Sequence, residues 1–398
     1  MWRFIGRFGV LLVCVLSVAP HGVVLAEAGQ LPRSFGLFGG VTPRWPRADQ
    51  PWAATDHETF FVAIASFRDV ECVLSVRTMF AQAANPRRLM LGIVEQNEPG
   101  DPICTPDEFY ECASPDFCPI DNIRRRRLAS RKGKGPCFGR YVSMLLYRDE
   151  AYYMMMDSHN MFIRNWERKS IAQLRRARTT RPVISHYPNG WDKNGQSYES
   201  QGNVIVMCNG HYVDMGYIRM DGRWMSRTIE PRAQPFSAGG YLFSDARMVH
   251  DVEFDPYLDF LFDGEEILFS ARMWTHGWDI FTPGESVLFH DYQRHTAIRY
   301  WDVQNKIPGN MGWHDQVHVS QRRAQKMMKV TRANTTILLV DPDTKEARVI
   351  QDFDKYTLGS RRSIYQYNDF AMTDAVYRRA TDRLCTVIEH QTLAKSGM

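Results

Sequence analysis

The chain reads as an α/β protein, a sheet flanked by helices, and three stretches of sequence carry that reading. Phe60–Phe67 (Phe-Phe-Val-Ala-Ile-Ala-Ser-Phe) is an apolar run that closes on small and polar residues. It is followed from about Val70 by a helical pattern with Val73, Val76, Met79, Phe80 and Ala83 on one face, stopped by Asn85-Pro86. Leu89–Val94 is a second apolar run, so the opening is β-α-β and implies a right-handed parallel unit. Tyr152–Met156 holds no charge and stops at Asp157, as a central strand buried on both faces does.

The other elements follow from the same signals. Phe138, Tyr141, Val142, Leu145 and Leu146 have helical spacing and run into the Tyr152 strand. A basic helix from Asn165 to about Arg181 ends at Pro182, and Val183–Tyr187 and Val204–Cys208 read as strands. Phe236–Tyr241 reads as a glycine turn after a strand-like segment. Gly264-Glu265-Glu266 opens a helix carrying Ile267, Leu268, Ala271 and Trp274. Asp279–Pro283 and Val287–Asp291 are expected to close the sheet, with a basic helix near Arg322–Lys329 and a strand-like Ile337–Val340 beyond it.

At 398 residues the chain has room for one large α/β domain or two ordinary ones. A hydrophobic content of 44% and a charged content of 24% are those of a globular protein, and a net charge of +4 is too small to imply a nucleic-acid partner. Arg3 and Arg7 precede an apolar stretch from Phe8 to Ala26, which predicts a signal peptide or signal anchor over residues 1–28. Either version places the remainder in the secretory lumen or outside, touching a membrane only through that segment. Four prolines between Pro32 and Pro51 predict a stem over 29–57, then a main domain over 58–300 and an extension over 301–398 packed on it. Outside Cys14 there are seven cysteines, an odd number that leaves a free thiol and an open pairing. Cys104, Cys112 and Cys118 crowd a loop without period, where cross-links would impose order, and their spacing is not that of a zinc knuckle. The sequon Asn334-Thr335-Thr336 fits a lumenal chain.

Chemistry-bearing residues gather at strand ends and helix starts, where ligands of open α/β sheets sit. Asp157-Ser158-His159 follows its strand directly; carboxylate oxygen and imidazole nitrogen together suit Mn²⁺ or Mg²⁺ held against a diphosphate. His290 ends its own apolar strand and is the expected third ligand. Glu265 and Glu266, at a helix start near the Gly239-Gly240 turn, could accept hydrogen bonds from sugar or acceptor hydroxyls, although acids are favoured at any helix amino terminus. Residues 124–134 hold seven Lys or Arg in eleven positions and read as a solvated loop or a dibasic processing site. The alternative there is phosphate recognition, with Lys134-Gly135-Pro136 leading into a helix whose Arg140 could reach a diphosphate.

These pieces, in order, are Ala-Ser66-Phe-Arg68-Asp69, Gly135-Pro136-x3-Arg140, Met-Asp157-Ser158-His159, Ser237-Ala238-Gly239-Gly240, Phe262-Asp263-Gly264-Glu265-Glu266 and Phe289-His290-Asp291. Together they resemble the polypeptide α-N-acetylglucosaminyltransferases, which include cytoplasmic enzymes acting on hydroxyproline and protozoan Golgi enzymes acting on threonine of mucin-like chains. The resemblance runs from about Phe60 to Tyr292, and Leu358-Gly359-x-Arg361-Arg362 extends it. It implies a GT-A-like nucleotide-sugar-binding fold with a mixed central sheet over residues 58–300, UDP-GlcNAc as donor, a divalent metal, retention at the anomeric carbon and a Ser/Thr-rich polypeptide acceptor. It further implies a metal site of Asp157, His159 and His290. Ser66, Arg68 and Asp69 would line the nucleotide, Arg140 would contact it, and Gly239, Gly240, Glu265 and Glu266 would border sugar and acceptor. Asp157, Glu265 and Glu266 would be the catalytic carboxylates. The leader and the cysteine loop set the chain apart from the cytoplasmic members and favour a Golgi type II membrane protein, or a lumenal one if the leader is cleaved. The alternatives are a GT-A transferase extending a glycan or glycolipid with another UDP-sugar, and a non-catalytic secreted carbohydrate-binding protein.

Overall fold

The computed structural model describes residues 58–112, 116–191, 202–213, 216–294, 297–308, 312–330, 348–374 and 377–396. The predicted leader, the stem, the sequon and the Ile337–Val340 segment lie outside them.

The opening β-α-β unit forms as read. β1 (Phe60–Phe67) and β2 (Leu89–Asn97) pair in parallel, and α1 (Cys72–Gln82) connects them, burying Cys72, Val76, Met79 and Phe80. Next come β3 (Ile123–Ala129), α2 (Pro136–Met144), β4 (Tyr152–Met156), β5 (Asn160–Phe162), α3 (Trp166–Arg176), β6 (Pro182–Ser185) and β7 (Asn189–Gly190). The chain continues through β8 (Asn203–Tyr212), β9 (Ile218–Ser226), β10 (Arg232–Ala233), β11 (Tyr241–Asp245), α4 (Arg247–Asp251), α5 (Glu265–Thr275), β12 (Asp279–Thr282) and β13 (Leu288–His290). α6 (Tyr300–Gln304) and α7 (Gly312–Met327) follow.

The main sheet has eight strands in the order β10-β12-β6-β11-β4-β1-β2-β3. Its β4-β1-β2-β3 run is parallel, whereas β11 is antiparallel to both β4 and β6, so the sheet is mixed, as expected. All five residues of β4 are buried, which is why its sequence carries no polar alternation. Around it Phe60, Tyr152, Phe243 and Trp166 form an aromatic cluster, with the Phe60 and Phe243 rings stacked 5.6 Å apart.

The glycine turn follows β10 and leads into β11, which pairs on both edges. Two sequence expectations are corrected. β13 does not close the main sheet but lies between β5 and β7 in a separate three-stranded sheet. The basic run 124–134 is no loop: Arg124–Arg127 lie in β3 at the edge of the main sheet. Three of its arginines have local partners, Arg124 with Glu150 at 2.6 Å, Arg127 with Glu95 at 3.0 Å and Arg125 with the Tyr110 hydroxyl at 2.9 Å. A charged edge strand also resists pairing with a further chain.

The residues beyond 300 are fastened to this core. Ser320 donates to the Asp259 carbonyl at 2.7 Å, and Gln304 to the Gly133 carbonyl at 3.0 Å. The Leu358–Arg362 segment docks on the end of α5: the Gly359 N–H donates to Thr275 Oγ1, and a Cβ at 359 would lie 2.5 Å from the His276 nitrogen. Arg362 lies 4.2 Å from the centroid of the Trp274 ring and bonds Asp279 at 2.7 Å.

Three disulfides form, Cys72–Cys104, Cys112–Cys118 and Cys208–Cys385, and among the described residues the free thiol is the buried Cys137. Cys208–Cys385 joins β8 to the helix Arg383–Ser396 across 177 residues of chain. Long closed loops limit the unfolded ensemble most, so Cys208→Ser with Cys385→Ser should cost about 3–5 kcal/mol in denaturant unfolding. No helix among the described residues is long and apolar enough to cross a membrane.

Candidate active site

Sheet pairing brings the predicted ligands together. Asp157 leaves the carboxyl end of β4, and its N–H donates to the Gly240 carbonyl at 3.1 Å. His290 is opposite Asn160 in the β13–β5 register, and the Asp291 N–H bonds the His159 carbonyl at 3.0 Å. The end of β4 in the main sheet therefore supplies the carboxylate, and the paired strands β5 and β13 bring the two imidazoles. The two rings meet edge to face with centroids 4.4 Å apart. His290 Nε2 lies 3.2 Å and His159 Nε2 3.9 Å from the same Asp157 Oδ2, and the three donor atoms all fall within 4.8 Å of one another.

The donor set fits a hard or borderline divalent cation. His159 Nδ1 bonds Asp69 Oδ2 at 2.9 Å, which turns the Nε2 lone pair toward Asp157. His290 Nδ1 is buried without a partner among the described residues, so His290 faces the cluster through Nε2 alone. Burial pushes Asp157 up, but the His290 hydrogen bond and the nearby cationic groups outweigh it and hold the carboxyl well below its usual range. Burial lowers His159 from its ordinary value, against the pull of Asp69. Asp69 is 4% exposed; burial would raise it, yet its bond to His159 and the charge of Arg294 hold it down to about 2.

A second acidic group borders the first. Arg140, from α2, bonds Glu265 through Nη1 and lies 3.5 Å from Asp157 Oδ1 through Nη2. Burial would lower this guanidinium, but Glu265 and Asp157 outweigh it and keep it charged. Glu266 accepts from the Gly239 N–H at 2.6 Å and from the Tyr187 hydroxyl at 2.7 Å, and burial pushes its carboxyl up to about 7. The two glycines are needed because the backbone runs against these acids: a Cβ at 239 would lie 2.7 Å from Arg140 Nη2, and one at 240 would lie 3.0 Å from Asp157 Oδ2. Cys137 lies 3.3 Å from Glu265, and burial together with that carboxylate pushes its thiol far up, leaving it inert.

The metal cluster, Arg140 and the two glutamates line one cavity of about 560 Å³. Of the predicted site residues, Arg140, Asp157, His159, Gly239, Gly240, Glu265, Glu266 and His290 are in its wall. The other four lie outside that wall. Ser66 is buried at the end of β1, Arg68 pairs with Asp101 at 2.8 Å, Lys134 pairs with Asp259 at 2.8 Å, and Asp69 supports His159 from behind. The sequence reading missed Tyr187, Tyr292, Arg294, Phe262, Tyr300 and Trp301 in the wall. Tyr187 sat at a predicted strand end and carried the positional signal. Tyr300 and Trp301 begin α6, which the domain boundary at residue 300 divides, and nothing in the local sequence marks Arg294.

The family model Glycosyltransferase (GlcNAc) matches residues 59–119 and 116–377, well over half of the chain. The chain belongs to this glycosyltransferase family. The glycosyltransferase thus has the expected mixed central sheet flanked by helices. Among solved structures it is similar to GalNAc-T7 with UDP, GalNAc and Mn²⁺, at 13% identity over 79% of this chain and 57% of that one, with a TM-score of 0.44. It is also similar to S. aureus TarS 1–349 in complex with UDP-GlcNAc, at 10% identity over 85% of this chain and 92% of that fragment, with a TM-score of 0.38. The glycosyltransferase therefore spans little more than half the length of the GalNAc-T7 chain. No curated protein matches it in sequence.

Proposed function

We propose that this glycosyltransferase moves N-acetylglucosamine from UDP-GlcNAc to Ser or Thr hydroxyls of secreted or mucin-like polypeptides, with retention of configuration and with a divalent cation, Mn²⁺ or Mg²⁺. The observation that carries the reading is the convergence of Asp157, His159 and His290 on one point of the cavity wall. Three disulfides and the amino-terminal apolar stretch support a Golgi lumenal setting, with the chain anchored as a type II membrane protein or released by cleavage.

When bound, the cation would neutralise charge that builds on the diphosphate as it departs. The chain's own groups do the rest. Arg140 adds fixed positive charge beside Asp157 without reorganising, because Glu265 holds its other edge. The transition state at the anomeric carbon is oxocarbenium-like. The bond from that carbon to the phosphate oxygen breaks, the acceptor oxygen attacks from the same face, and its proton passes to the leaving phosphate oxygen. Glu265 and Glu266 present carboxylates to the sugar and acceptor hydroxyls.

Radiolabelled sugar from UDP-GlcNAc should appear on a Thr/Pro-rich peptide in the presence of Mn²⁺, and EDTA should abolish transfer. Transfer to glycans or lipids alone would exclude the polypeptide acceptor, and absence of metal-dependent UDP binding would exclude the metal-dependent reading. Glu266 adds a pH signature. As a hydrogen-bond acceptor it works ionised, so kcat/KM should rise through an ionisation near pH 7 that disappears in Glu266→Gln. The stability trend runs the other way. Because the folded state raises this acid above its ordinary 4.5, stability should fall as pH climbs from there to about 7, and the variant should lose that fall.

A further inference from the structure

We propose that Arg294 is a built-in competitor of the divalent cation, its guanidinium holding the lone pair of His159 until a cation displaces it. This rests on the metal-dependent reading of the site. Arg294 follows β13 and is almost buried, its side chain 10% exposed. One end of its guanidinium, Nη2, lies 3.1 Å from Asp69 Oδ1, and the other, Nη1, lies 3.1 Å from His159 Nε2. His159 Nδ1 is already committed to Asp69 at 2.9 Å, so Nε2 is the nitrogen left for any ligand. That same Nε2 faces Asp157 Oδ2 at 3.9 Å.

An imidazole nitrogen has one lone pair. It can accept a guanidinium N–H or bind a cation, and not both. The two occupants are also alike in charge, so each is repelled while the other sits between Asp69 and Asp157. Arg294 is thus the stand-in cation of the metal-free protein, keeping two carboxylates and two imidazoles compatible in one small volume. Asp69 holds both partners: its Oδ2 orients His159 and its Oδ1 retains Arg294. A cation entering the cluster can release Nη1 while Nη2 stays tethered, so exchange needs rotation of one side chain and no rearrangement of β4 or β13.

The test is a Mn²⁺ titration of the full chain without nucleotide, following the free-ion signal by electron paramagnetic resonance. Arg294→Gln removes the competing charge and should bind Mn²⁺ about tenfold more tightly than the unaltered protein, a coupling of ordinary size between two exclusive occupants. Arg294→Lys, which keeps the charge but cannot bridge both groups, should fall between them. Asp69→Asn removes the support of His159 and should weaken binding, by roughly 10–100-fold. Equal or weaker Mn²⁺ binding in Arg294→Gln, with unaltered thermal unfolding, would show that the guanidinium merely props the site and would overturn the proposal. If the unaltered protein takes up no more Mn²⁺ than His159→Ala does, the metal reading itself fails, and this proposal with it.

Discussion

His159→Ala should lower kcat for sugar transfer by about three orders of magnitude, since a bound cation contributes several kcal/mol to a transition state that develops charge on a diphosphate. The fold should lose no more than about 2 kcal/mol, because Asp69 keeps its bonds to Arg294 and Ser158 when the ring is gone. The contrast between the two numbers is the informative part. Turnover measured in saturating Mn²⁺ alongside thermal unfolding separates a ligand from a packing residue. A variant that folds and turns over normally would remove His159 from the metal site, whereas one that loses both together would make it structural.

A loss of stability as large as that of the long disulfide is expected at a buried ion pair outside the cavity wall. Arg323 of α7 and Asp255 are both fully buried, and their ion pair is 2.7 Å long. The guanidinium also donates to the carbonyls of Val349 and Gln351 at 2.9 and 2.8 Å, and it lies 5.1 Å from the centroid of the Tyr257 ring. Arg323→Met strands the Asp255 carboxylate without its cation. Stripping one partner from a buried pair costs about 3–5 kcal/mol, so urea unfolding should shift by that amount with an unchanged slope. Burial already raises Asp255 despite Arg323, and its loss would raise the acid further. A raised acid is most comfortable protonated, so the deficit should shrink as pH falls toward the acid range. The double variant Arg323→Met with Asp255→Asn should recover much of the loss, because it removes the orphaned charge.

How far the sequence could be read depended on whether the deciding interactions were local. Tyr152–Met156 gave away its place in the middle of the sheet because burial on both faces forbids any polar residue there. The strand then delivered Asp157 and His159 to the ligand crevice with no further information needed. His290 was legible as a strand end, but its nearness to His159 depends on β13 pairing with β5, a contact between segments 128 residues apart that no periodicity shows. The arginines of β3 misled because a charged edge strand and a solvated loop have the same composition; only the partners Glu95 and Glu150 distinguish them. Ser66, Arg68 and Asp69 came from a resemblance in linear order, and Lys134 from the basic run that precedes α2. Their side chains turn to Asp101, His159, Asp259 and the interior, which linear order does not specify. Arg294 was invisible for a related reason: a single basic residue in a loop acquires meaning only once a buried carboxylate and an imidazole are found beside it.

Diffraction at the manganese absorption edge, on the protein crystallised with Mn²⁺ and UDP, tests the central claim most directly. The account predicts one anomalous peak in the cavity at bonding distance, about 2.0–2.3 Å, from a carboxylate oxygen of Asp157 and from Nε2 of both His159 and His290. UDP bound with no peak there, or with the ion bonded elsewhere, would contradict it.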